Sequence, residues 1–262
     1  MPELPSLESF RNYVNSTSLY KDLDSIDVSA PEMLEGVTED RLASVLGGTH
    51  FTDTFRHGKY LFLKTARDGW LILHFGMTGF PRYYEVEESA PEHQRFIVNF
   101  DDGYHLAYDC QRKLGQVSVT DDRDVFIADQ DLGPDALRVG WEAFKDTMTH
   151  TRGMIKTRLM DQSKVAGIGN VWSDEVLFQM KLPPRAKIGD LNGDGLRELY
   201  DTMKQVLQTA AECVIQSENL PAEYLAGHRE PGSECPVCGG EIKRIEIGGR
   251  GARYCPNCQA EA

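Results

Sequence analysis

The chain has 262 residues, 40% of them hydrophobic and 26% charged, enough for one large domain or two ordinary ones with separate cores. Its 28 Lys and Arg against 41 Asp and Glu leave a net charge of −13, which excludes a protein that coats nucleic acid indiscriminately. The imbalance is local: residues 151–262 hold 14 basic and 15 acidic residues and residues 1–150 hold 14 and 26, so the C-terminal part can still present a basic face.

The start, Met1-Pro2-Glu3-Leu4-Pro5, has unusual chemistry. Removing Met1, which a small second residue permits, leaves proline with a free secondary amine beside a carboxylate. Such an amine can attack a sugar C1′ and form a charged iminium. The alternative is an ordinary helix start, since Leu7, Phe10 and Val14 follow helical spacing and a proline suits the first turn.

From Lys59 to about Thr120 come short β-type runs: Tyr60-Leu-Phe-Leu-Lys-Thr65, Trp70-Leu-Ile-Leu-His-Phe75, Arg95-Phe-Ile-Val-Asn-Phe100, Tyr104-His-Leu-Ala-Tyr108 and Gln116-Val-Ser-Val-Thr120. Asp68-Gly69 and Asp102-Gly103 serve as hairpin turns, so the region is an antiparallel sandwich or barrel. The run Glu85-Val-Glu-Glu-Ser89 reads as a solvated outer surface. Leu132-Gly-Pro-Asp135 marks a linker, beyond which helices take over. Ile155, Leu159 and Met160 define one helix, Val171 to Met180 a second with Asn170 as its cap, and Leu191 to Ile215 a third. The turn Val165-Ala-Gly-Ile-Gly-Asn170, with Lys156, Arg158 and Lys164 nearby, could bind a phosphate, although most glycine turns between helices are only turns.

Four cysteines close the chain as Cys235-Pro-Val-Cys238, sixteen residues, then Cys255-Pro-Asn-Cys258. That spacing suits a structural Zn²⁺ with no open coordination position; two disulfides in a secreted domain are the alternative. No transmembrane-length stretch and no basic, apolar leader is present, and Cys110 and Cys213 lack matching spacing, so a reducing, cytoplasmic location without a membrane is expected. Between the knuckles, Ile242, Ile245 and Ile247 alternate with charge around Gly248-Gly249, which predicts a β-ribbon carrying Lys243, Arg244, Arg250 and Arg253. The ribbon suits a nucleic-acid backbone, or equally a finger that merely caps the fold.

Taken together, Met1-Pro-Glu-Leu-Pro5, His57-Gly-Lys-Tyr60, His74-Phe-Gly-Met-Thr-Gly79, Arg112-Lys-Leu-Gly115, Leu132-Gly-Pro134, Lys156-Thr-Arg-Leu-Met-Asp161, Gly167-Ile-Gly-Asn170 and the finger stand in one order. Over nearly its whole length the chain resembles the formamidopyrimidine-DNA glycosylase / endonuclease VIII family of bifunctional repair enzymes. The resemblance implies Pro2 as Schiff-base nucleophile, Glu3 as the acid assisting sugar opening, Lys59 as a second acid and base, and Arg250 as a phosphate grip at the lesion. It implies DNA contacts from His74, His93, Arg112, Arg152, Lys156 and Asn170, and a wedge of Met77, Arg112 and Leu114 filling the gap left by the everted nucleotide.

Departures from the family pattern are Ser6 in place of a second glutamate, Leu114 in place of a wedge phenylalanine and Cys110 in place of an aspartate. The stretch Glu218-Asn-Leu-Pro-Ala-Glu-Tyr-Leu-Ala-Gly227 is short for the loop that covers 8-oxoguanine in the formamidopyrimidine branch. The expected fold is α+β: an N-terminal antiparallel β-sandwich with an N-terminal helix (1–131), a helix-two-turns-helix domain (135–227) and a four-cysteine zinc finger (228–262). The expected protein is a monomer that clasps damaged or abasic-site duplex DNA, with one Zn²⁺. A lesion-binding protein without catalysis is the alternative, and a zinc-ribbon adaptor leaves Pro2 and Lys59 unexplained.

Overall fold

The structure, a computed structural model, describes residues 2–86, 89–150, 152–216, 219–230 and 232–260. Met1, whose removal the sequence reading invokes, lies outside them, as do Glu87 and Glu88 of the acidic run and Glu218 of the short loop. The chain forms two compact units, Met1–Pro2 with Ser6–Gln130 and Glu3–Pro5 with Asp131–Ala262. No described helix is long and apolar enough to cross a membrane.

The first unit is a sandwich of two four-stranded antiparallel sheets. Strands β1 (Leu23–Val28), β6 (Gln94–Phe100), β7 (His105–Asp109) and β5 (Phe80–Tyr84) form one, in that order. Strands β2 (Phe51–His57), β3 (Tyr60–Thr65), β4 (Trp70–His74) and β8 (Gln116–Thr120) form the other. Alternate residues on each strand enter a single core: Leu61, Leu63, Leu71, Leu73 and Val117 from one sheet, Phe96, Val98, Phe100, Leu106 and Tyr108 from the other. Helix α1 (Leu4–Thr17) adds Leu7 and Val14, α2 (Glu39–Leu46) adds Leu42, Val45 and Leu46, and a short α3 (Arg123–Asp129) follows β8.

Three strands escaped the sequence reading for physical reasons. β5 contains Pro81, which an edge strand tolerates because one side of its backbone needs no partner, and β5 pairs only with β7. β1, the opposite edge, is mostly exposed and carries Asp24 and Asp27 where an apolar face would otherwise be legible. β2 alternates polar and apolar residues too loosely to stand out from a loop.

Three glycines bring the segments around residues 75–79 and 110–115 together. A Cβ on Gly76 (φ +55°) would lie 2.4 Å from the Leu114 carbonyl oxygen, and one on Gly79 would lie 2.5 Å from the Tyr108 ring. A Cβ on Gly115 would lie 1.6 Å from Tyr108 Oη, which donates to the His74 carbonyl at 2.8 Å. With these glycines in place, Met77 (43% exposed) and Leu114 (50% exposed) stand out as bare apolar side chains.

His74 ends β4 beside Tyr60, with ring centroids 4.9 Å apart, and its Nδ1 is buried without a hydrogen-bond partner. Burial, aided by the Lys59 charge, pushes its pKa down to about 4, so the ring is neutral at physiological pH. A neutral ring at this position would meet DNA through hydrogen bonding rather than through charge.

The second unit packs α4 (Trp141–Thr149), α5 (Ile155–Leu159), α6 (Asn170–Gln179) and α7 (Gly193–Gln216) around Phe144, Met148, Ile155, Leu159, Val176, Leu199 and Met203. The finger ribbon, β9 (Lys243–Ile247) and β10 (Arg250–Tyr254), turns at Gly248 and Gly249, both at positive φ as a type I′ hairpin requires. The finger is not set apart from the helices: Phe178 of α6 and Leu225 share a small core with Cys235, Ile242 and Cys255.

Two outcomes follow from the packing of the sandwich. Gly115→Ala should lower its stability by about 3 kcal/mol, read from the urea midpoint, because Tyr108 and the His74 carbonyl must both move. The depressed His74 pKa contributes stability that is complete above the unfolded value near 6.5 and is lost as pH falls toward 4. Between pH 7.5 and pH 5 the wild type should lose about 2 kcal/mol more than His74→Phe, measured in parallel urea titrations.

Candidate catalytic and nucleic-acid-binding site

In the first unit, Lys59 sits in the two-residue turn between β2 and β3, opened by Gly58 at φ +55°. The side chain is 9% exposed. The turn is braced from behind by Arg56, which is fully buried and whose Nη1 donates to the Gly58 carbonyl at 3.1 Å. Arg56 Nε donates to Glu8 Oε1 at 2.6 Å, and Glu8 Oε2 accepts from Arg11 Nε at 2.9 Å. Burial pushes the Glu8 carboxyl up, but the charges and hydrogen bonds of Arg56 and Arg11 together hold it below its ordinary value. A rigid ion pair thus fixes the backbone that carries Lys59. Sequence reasoning missed Glu8 and Arg56; the available signal was a strand arginine that no polar neighbour explains.

In the second unit, Glu3 is 3% exposed and lies at the N-terminus of α6. Its carboxylate accepts from the backbone N–H groups of Gly169 (2.8 Å), Val171 (3.0 Å) and Trp172 (3.3 Å). These are the donors a helix leaves unpaired, and the helix dipole favours a negative charge beside them. A Cβ at 169 would lie 2.3 Å from the Glu3 carboxyl carbon, so a side chain there would displace the carboxylate from the helix N-terminus. Gly167, at φ +116°, likewise admits Leu4, whose N–H donates to the Gly167 carbonyl at 3.1 Å. Asn170 is therefore not the cap but the first helical residue, and its Nδ2 donates to the Gly251 carbonyl of β10 at 3.0 Å.

Lys156 is fully buried, and its Nζ donates to Asp174 Oδ1 at 2.6 Å, Ser173 Oγ at 2.9 Å and the Asn170 carbonyl at 3.2 Å. The enclosed ammonium braces the turn; burial lowers its pKa and Asp174 opposes the shift. Asp174 also accepts from Arg229 Nη2 at 2.8 Å. Its neighbour Glu175 accepts from the Leu225 and Ala226 N–H groups at 3.3 and 2.7 Å and so ties residues 225–226 to α6. Burial pushes the Glu175 carboxyl up against the opposing pull of these bonds. The two adjacent acids inside an apolar helix were the sequence signal for this network.

Arg112, Arg152 and Arg250 are exposed, His93 and Pro2 half-buried. Arg112 N donates to Thr78 Oγ1 at 3.3 Å, which links it to the segment bearing Met77, and Arg158 Nε donates to the Arg152 carbonyl at 2.7 Å. Cys110 is buried, with its sulfur 4.0 Å from Thr78 Oγ1.

The Sγ atoms of Cys235, Cys238, Cys255 and Cys258 all lie within 4.8 Å of one another, with Cys235–Cys258 at 3.8 Å and Cys238–Cys255 at 3.5 Å. Tetrahedral Zn–S bonds of about 2.3 Å place sulfurs about 3.8 Å apart, so the cluster fits one four-coordinate Zn²⁺ and serves the fold only. The second knuckle is anchored by Gln259, whose Oε1 accepts from Cys255 N at 3.0 Å and whose Nε2 donates to the Leu182 carbonyl at 2.7 Å.

Residues 1–117 match the formamidopyrimidine-DNA glycosylase N-terminal domain, residues 132–219 the formamidopyrimidine-DNA glycosylase H2TH domain, and residues 232–260 the zinc finger found in FPG and IleRS. Formamidopyrimidine-DNA glycosylases of Streptococcus mutans serotype c and Exiguobacterium sibiricum are 30% and 31% identical to the chain, each alignment covering all of both proteins. Among solved structures, MutM in complex with carbocyclic 8-oxo-G containing DNA gives a TM-score of 0.89 at 27% identity. Lactococcus lactis Fpg with abasic-site DNA gives 0.87 at 26%, and each comparison covers 99% of this chain and 100% of the other. Identity at this level along the whole of both curated relatives establishes that the chain belongs to the formamidopyrimidine-DNA glycosylase family.

Proposed function

We propose that the protein acts as a monomer in base excision repair, removing oxidised or ring-opened bases from duplex DNA and nicking the abasic site by β/δ-elimination. The observation that carries this reading is the clamp on Glu3: three backbone N–H groups hold its carboxylate, and the residue bonded to it is Pro2. With Met1 removed, the Pro2 amine attacks C1′, the bond to the base breaks with protonation of the leaving base, and the opened sugar remains on Pro2 as an iminium. Glu3 supplies the acid for sugar opening. Lys59, on its braced turn, moves protons in the elimination steps, and Arg250, Arg112 and Arg152 hold phosphates while Met77 and Leu114 fill the vacated stack. The DNA held by relatives of known structure contains an abasic site in one case and carbocyclic 8-oxo-G in another, which supports substrates of these kinds here.

Borohydride added during reaction with abasic or oxidised-base duplex should leave the protein covalently attached to DNA through Pro2. An uncleaved extension ahead of Pro2, which converts the amine to an amide, should abolish trapping; efficient trapping by that extended protein removes Pro2 as the nucleophile. Failure of the free protein to trap on any of these substrates favours a binding protein over an enzyme. Glu3→Gln should slow base removal more than cleavage at a preformed abasic site, in single-turnover assays, and should also cost about 1 kcal/mol of stability through the weakened cap.

Zinc should be present at one ion per folded chain by elemental analysis, bound by Cys235, Cys238, Cys255 and Cys258. Because Phe178 and Leu225 pack on Cys235 and Cys255, Cys255→Ser should loosen the end of α6 as well as the ribbon, seen as faster amide exchange around Phe178. Folded, active protein without metal would contradict both statements.

A further inference from the structure

We propose that Asp174 is a positioning residue for the excision reaction: it sets the register of the finger ribbon against α6 and thereby the place of Arg250. The inference rests on the reading of Arg250 as a phosphate grip.

The two-residue turn Gly248-Gly249 makes Ile247 and Arg250 the closing hydrogen-bonded pair of the hairpin. Gly251 and Arg253 then point their peptide groups away from β9, toward an edge where no third strand lies among the described residues. Side chains of α6 occupy that edge. Asn170 Nδ2 donates to the Gly251 carbonyl at 3.0 Å, and Asp174 Oδ2 accepts from the Arg253 N–H at 2.9 Å.

The spacing matches. Four residues of helix rise about 6 Å, and two residues of strand rise about 6.7 Å. The i, i+4 pair on α6 therefore meets the i, i+2 pair on β10 without bending either element. One clamp would leave the ribbon free to pivot about Gly251; the second removes that freedom. Arg250 is the residue immediately before the first clamp, so its backbone position is set by the pair.

Asp174 is itself held. Its side chain is 1% exposed, with Lys156 Nζ at 2.6 Å on one oxygen and Arg229 Nη2 at 2.8 Å on the other. Arg229 also returns to the ribbon, its carbonyl accepting from Arg253 Nε at 2.9 Å. A carboxylate offers two acceptor oxygens and a full charge to these donors, whereas an amide offers one oxygen and would turn N–H groups toward a cation or toward Arg253. The buried acid is thus suited to join the turn, the helix and the ribbon at one point, a role that packing alone would not demand of a charged group.

The test is a double-mutant cycle on zinc-loaded protein with a lesion-containing duplex. Asp174→Asn should keep one zinc per chain and lower single-turnover excision about tenfold or more through misplacement of the grip. Added to Arg250→Ala, it should lower the rate by less than about threefold, since the residue it positions is already gone. Multiplying effects would overturn the proposal, because a general loss of structure acts independently of Arg250. If Asp174→Asn does not fold, amide exchange in the wild type decides: the Arg253 amide should exchange at least about a hundredfold slower than an exposed amide, and a freely exchanging Arg253 overturns the proposal. Arg250→Ala with unchanged excision would instead sink the reading of Arg250, and with it the catalytic consequence, while a protected Arg253 amide would still support the clamp.

Discussion

The interaction on which the site depends is the carboxylate of Glu3 against the first turn of α6. A helix exposes four unpaired N–H groups at its start, and an apolar surrounding makes each expensive to leave without an acceptor. Here the acceptor is supplied by the third residue of the chain. The glycines at 167 and 169 are there because Leu4 and Glu3 need the space that a Cβ would fill. The same contact that completes a helix therefore also fixes the backbone next to Pro2.

Charge is used in the interior in a consistent way. Arg56 with Glu8 stands behind the Lys59 turn, and Lys156 with Asp174 and Arg229 stands behind the helix and ribbon. Each of these ions has a partner of opposite sign, and Arg56, Lys156 and Asp174 also hydrogen-bond to backbone, the kind of setting in which buried ions are tolerated. Such pairs are poor sources of net stability, and their evident effect is directional: each holds a peptide group beside a residue assigned to the reaction. The outward cations, Arg112, Arg152 and Arg250, are left to solvent. A chain of net charge −13 can thus present positive groups where they are needed and spend its acids elsewhere.

The apolar residues Met77 and Leu114 depend on close backbone approach rather than on charge. Gly76, Gly79 and Gly115 allow two segments to touch each other and the Tyr108 ring, and Met77 and Leu114 on these segments stand exposed.

The sequence by itself determined the elements whose signals are local. The Cys-x2-Cys pairs define the zinc site because the metal needs four thiolates at fixed spacing; the Gly248-Gly249 turn defines the ribbon because only glycine takes two positive φ values cheaply; the strands with clean alternation define one core. The roles proposed for Pro2, Glu3, Lys59 and Arg250 rest on the order of their motifs. Edge strands β1 and β5 and the charged pairs were not legible, since an acid in a helix reads the same whether it faces water or a buried lysine. Only the tertiary structure decided that Lys156 is enclosed, that Asn170 holds the ribbon rather than caps its helix, and that Glu3 supplies the cap across more than 160 positions of sequence. Those are long-range hydrogen bonds, and no local pattern encodes which partner a buried polar group will find.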